Sequence, residues 1–128
     1  MLAQMLADSF PGERTRIRTA YGELLGTWRG RNAAATGENV DVELSTTRPY
    51  RWNETHGATE RHTEFAVVDE AHTRVAGEVV ELDENDVLTL RAGDTFLLID
   101  TEGTAPLGVR GSRVSLTVDD LDIYPSNV

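Results

Sequence analysis

Val40-Asp41-Val42-Glu43-Leu44-Ser45 decides the fold, because three apolar side chains alternate with three polar ones, as on a strand with one buried and one wet face. A helix would scatter the same six residues around its circumference. Working outward, Val114, Leu116 and Val118 alternate with Arg113, Ser115 and Thr117. The apolar phase then slips to Leu121 and Ile123, which predicts a bulge near Asp119-Asp120 before Pro125 closes the last strand. Upstream, Ile17, Thr19 and Tyr21 alternate with Arg16, Arg18 and Ala20, and the run continues through Leu24-Leu25 to Trp28. It reads as one long strand bent at Gly22 and Gly26. Strands are also expected at 65–68, 75–82, 87–90 and 96–99. The turn-forming clusters Asp83-Glu84-Asn85-Asp86 and Arg91-Ala92-Gly93-Asp94 lie between them and favour antiparallel hairpins.

The amino terminus breaks the two-residue rhythm, as does the stretch 49–62 further on. Leu2, Met5 and Leu6 stand at helical spacing and Pro11-Gly12 ends the run, which predicts a short helix or arm over 1–14. The expected fold is therefore all-β: a single small antiparallel barrel or sandwich, OB-like, over 15–128, with an extended loop at about 46–64. The sequence shows no internal repeat and no low-complexity tract.

Composition narrows the function. The 128 residues suit one domain, and no apolar run approaches the roughly 20 residues of a membrane-spanning helix, so no membrane association is expected. The stretch MLAQMLADSF lacks the basic start of a secretory signal, and the expected location is the cytoplasm at synthesis. Without cysteine there is no disulfide, thiolate metal site or cysteine nucleophile. Twenty-two acidic residues face 12 basic ones, all arginine, for a net charge of −10. Such a chain repels phosphate backbones and suits either a high-salt (halophilic) cytoplasm or a GC-rich coding sequence.

The span 46–64 holds the candidate site. Arg48, Tyr50, Arg51, Trp52 and Arg61 concentrate cations and aromatic rings beside Pro49 and Gly57, the composition of an interface anchor on a loop, and are read as partner-binding. That Tyr50 and Trp52 simply cap the barrel, with Trp52 as a plug, is the plainer alternative. His56, Glu60, His62 and Glu64 would make an oxygen and nitrogen metal set if they converged. Glu beside His is common by chance in so acidic a chain, so neither metal nor other cofactor is expected. Neither GxSxG nor a phosphate-binding loop is present, and no enzymatic activity is expected.

Residues 76–124 resemble an OB-type barrel in their order of long curled strand, hairpin, glycine-containing loop and final strand. In overall plan, an arm, a compact barrel and a projecting loop, the chain resembles the small β-barrel head-closure or neck proteins of tailed viruses. That resemblance implies a structural subunit of a virion, a head–tail connector acting as a homo-oligomer or within a larger assembly. The expected function is accordingly non-catalytic assembly through protein contacts. Two alternatives stand beside it: an OB-like module for an oligonucleotide or other ligand, and an acidic immunity- or antitoxin-type protein for a cationic partner.

Overall fold

The structure, a computed structural model, describes residues 1–59 and 63–126. Twelve strands are formed among them: β1 (Leu2–Met5), β2 (Arg14–Thr19), β3 (Gly22–Trp28), β4 (Asn39–Ser45), β5 (Tyr50–Arg51), β6 (Thr55–Gly57), β7 (Phe65–Val67), β8 (Thr73–Leu82), β9 (Val87–Ala92), β10 (Thr95–Glu102), β11 (Arg113–Val118) and β12 (Asp122–Pro125). A single 3-10 turn, Trp52–Glu54, joins β5 to β6. The all-β reading holds.

Five strands close a barrel in the order β1-β2-β3-β12-β4 and back to β1, antiparallel throughout except for the parallel pair β3–β12. This is a five-stranded closure of the OB type. Its inward residues are small or aliphatic at every second position, Ala3 and Met5 on β1, Ile17 on β2, Leu24 on β3, Val42 and Leu44 on β4, and all are buried. Each large aliphatic side chain so buried contributes about 1.5–3 kcal/mol.

The remaining strands except β7, which bridges β3 and β8, form a second ring with the same order: β8-β9-β10, then the broken strand β5/β6, then β11 and back to β8. Again one pair alone, β10–β5, is parallel. The registers correspond up to the break between β5 and β6. Leu2↔Asp41 in the first barrel answers to Ala76↔Ser115 in the second, Gln4↔Arg18 to Glu78↔Arg91, and Ile123↔Trp28 to Tyr50↔Thr101. The chain is therefore a tandem structural repeat in which the two halves exchange their fifth strands. β5/β6 follows β4 in sequence yet completes the second ring, while β12 follows β11 and completes the first. The large apolar inward residues of both rings belong to one buried cluster.

Several expectations give way here. The amino terminus is no helix or arm: β1 pairs with β2 and β4, and Ala3 and Met5 are buried. Four residues cannot distinguish helical spacing from the end of a strand. The long first strand is a hairpin, β2 and β3, turning at Ala20-Tyr21. The OB-type ring is not 76–124, because β12 has left for the other barrel. The stretch at 46–64 is no simple loop either, since it supplies β5, the 3-10 turn and β6.

Candidate partner-binding site

Arg48, Tyr50 and Trp52 lie at the crossing of the two exchanged strands, where the segment leading from β4 to β5 passes the segment leading from β11 to β12. Asp120 collects the crossing: one carboxylate oxygen accepts the backbone N–H of Thr47 and of Arg48, each at 2.6 Å, and the other accepts the Tyr50 hydroxyl. Arg48 lies over the Tyr50 ring at 3.7 Å and donates to Asp119 at 3.0 Å and Glu54 at 3.2 Å. Glu54 in turn accepts the Arg51 N–H at 2.7 Å, which closes the 3-10 turn.

These contacts set the protonation states. Burial, then the hydrogen bond to Asp120, pushes the Tyr50 phenol up. Burial acts to raise Asp120 too, but the donors from Tyr50, Arg48 and Thr47 together outweigh it and hold the carboxyl below its usual range. The Arg48 guanidinium holds Asp119 down, and it does the same for Glu54. Four charges and a phenol are thus satisfied within the chain, and the cluster acts as a clasp.

Tyr50 and Trp52 are in the core, 1 % and 8 % exposed, so the reading of them as rings displayed to a partner is replaced by a structural one. Arg51 is exposed, 3.7 Å from Glu102, and borders a recess of about 300 Å³ with Trp52 and Asn53. Of the metal candidates, exposed His56 lies on β6 opposite Ser115, and the Glu64 carbonyl accepts the Ala76 N–H at 2.8 Å. Glu60, Arg61 and His62 lie outside the described residues. Among the described residues no three histidine or acidic side chains converge on a metal-sized point.

A surface that the sequence reading missed lies where the barrels meet. A groove of about 620 Å³ runs between the outer face of β4 and the edge of β10, with Phe96 and Leu98 along one wall and Asp41, Glu43 and Asp94 among its lining. Phe96 and Leu98 are 57 % and 60 % exposed. The Met1 ammonium pairs with Asp41 at 2.6 Å, whereas Glu43, Asp94 and, further along β10, Asp100 make no ion pair among the described residues. The signal was present in Phe96-Leu97-Leu98-Ile99, which is apolar in both phases: Leu97 and Ile99 fill the barrel, and the other pair stands outside without burial to justify it.

No family model, curated protein or solved structure matches the chain.

Proposed function

We propose that the protein is a non-catalytic binding subunit that acts through protein–protein contact, with the groove between its barrels as the working surface and a cationic protein as partner. One observation carries this reading: Phe96 and Leu98, both large and more than half exposed, line a groove that also presents Asp41, Glu43 and Asp94. An apolar wall supplies the anchor and carboxylates supply the selectivity and the steering. The same carboxylates, in a chain of net charge −10, repel a phosphate backbone and weigh against the oligonucleotide alternative.

A photo-crosslinking amino acid in place of Phe96, expressed in the native host, tests the proposal. An adduct with one basic protein at position 96, and none with the same group in place of Thr36 on the far loop, is the expected result. Absence of a protein adduct at position 96, or an adduct with nucleic acid, overturns it.

A further inference from the structure

The repeat makes two loops informative, because their backbones match bond for bond. The β3–β4 loop of the first barrel is held to β1: Gly37 donates its N–H to the Met5 carbonyl at 2.8 Å, Met5 donates to Glu38 at 2.9 Å, and Glu38 donates to Ala35 at 3.0 Å. In the β10–β11 loop Gly111 donates to Val79 at 2.7 Å, Val79 to Ser112 at 2.9 Å, and Ser112 to Val109 at 3.0 Å. Gly37 and Gly111 turn with φ at +85° and +83°. Leu107, Gly108 and Arg110 therefore take the places of Ala33, Ala34 and Thr36.

The first loop is covered from within the chain. Ser9 and Ala34 exchange both backbone bonds, at 2.8 and 2.9 Å, and the Asp8 carboxylate accepts the Thr36 N–H and hydroxyl at 2.9 Å each. Ser9 and Ala34 are buried as a result. The second loop lacks this cover. The connection from β8 to β9 closes on itself, with Asp83 donating to Val87 and Asp86 to Asp83, both at 3.1 Å, and among the described residues nothing bonds the Gly108 backbone. Ala105 and Val109 pack against the core and fix the loop on either side of Leu107, which is fully exposed. Arg110 is exposed as well and makes no ion pair among the described residues. Residues 103–118 contain no acidic side chain, in a chain of net charge −10.

A cover for this loop has to offer an apolar recess to Leu107 and a carboxylate to Arg110, as Asp8 serves Thr36 in the first barrel. The groove between the barrels offers both, with Phe96 and Leu98 exposed and Glu43 and Asp94 among its lining. The exposure of Leu107 shows that the loop does not fill the groove of its own chain. From this complementarity, and resting on the function proposed above, we infer that the β10–β11 loop docks in the groove of a second copy of this chain, with Leu107 against Phe96 and Leu98 and Arg110 among the carboxylates. The contact joins two different patches, so it runs head to tail. A copy bound in this way occupies the surface proposed for the cationic partner, and self-association competes with partner binding.

Sedimentation velocity on the purified protein over a concentration series tests this. The parent should sediment faster as concentration rises, while Leu107→Asp and Phe96→Lys, both at exposed positions, should stay monomeric with the parent's melting temperature. Arg110→Glu should weaken the association by about tenfold or more. An equimolar mixture of Leu107→Asp and Phe96→Lys should form pairs and nothing larger, because the intact groove of the one takes the intact loop of the other. A parent that is monomeric throughout, single variants that associate like the parent, or a mixture that stays monomeric overturns the inference. If the contact is absent and position 96 still crosslinks to a basic protein, the function of the groove stands and only the part played by the loop falls. If the contact is present and the crosslink, repeated in the Leu107→Asp chain to remove self-adducts, captures no basic protein, the cationic partner falls and the contact between copies stands.

Discussion

The Tyr50 hydroxyl donates to the Asp120 carboxylate across 70 residues of sequence, at the one place where both exchanged strands pass from one barrel to the other. Asp120→Ala would strip an acceptor from this phenol, which keeps a 3.3 Å contact to Asp119, and from the exposed Thr47 and partly buried Arg48 N–H groups at once. The expected loss is about 2–3 kcal/mol, and Tyr50→Phe, which removes one hydroxyl that donates to Asp120 and accepts the Asp119 N–H at 3.3 Å, should lose about 1 kcal/mol. Denaturant melts of the two variants check the order; equal losses would show that the N–H bonds to Asp120 contribute nothing.

The same clasp gives the protein an acid limit. Asp119, Asp120 and Glu54 all titrate below their ordinary values in the folded chain. A carboxyl lowered by folding contributes stability that is complete above its unfolded pKa, about 4, and that is lost as pH falls through the lower folded value. Stability should therefore be level above about pH 5 and fall below about pH 4. Asp120→Asn should flatten that fall, which melts at a series of acid pH values would register.

Trp52→Ala should lose about 3–5 kcal/mol, as truncation of a buried aromatic does. Arg51→Ala, one residue earlier and exposed, should stay within about 0.5 kcal/mol of the parent. If thermal melts left Trp52→Ala unharmed, the placement of this ring in the second barrel would be wrong.

Val42→Asp should unfold the domain, because Val42 is fully buried and an unpaired carboxylate there costs several kcal/mol, a large part of a small domain's stability. Glu43→Val changes an exposed residue of the groove and should leave the melting temperature nearly unchanged. Circular dichroism of the pair reads the strand phase directly.

That phase was legible because alternation is a local property. Val42 and Leu44, and again Val114, Leu116 and Val118, are buried as their spacing requires, and Val40 is partly buried. The expected bulge at Asp119-Asp120 marks a real event, though a different one: the phase slips because the chain leaves one barrel for the other. The repeat was illegible because the two halves share register and the burial of inward positions but not residues. Thr15 stands where Leu88 stands, Gly26 where Ile99 does, and Trp28 where Thr101 does, and all six positions are buried. The role of 46–64 was missed for a related reason. Arginine and aromatic rings together describe an interface, and the interface is internal, between the halves of one chain.

The exchange of strands also fixes the order in which the molecule can be finished. β1 to β4 are made early, but their barrel lacks its closing strand until β12, the last of the twelve, is available to pair with Trp28 and Leu44. The second barrel meanwhile receives its fifth strand in advance, as β5 and β6 precede β8 in the chain. Synthesis runs from the amino terminus, and contacts this distant in sequence form slowly. The barrel begun first on the ribosome is consequently the one completed last.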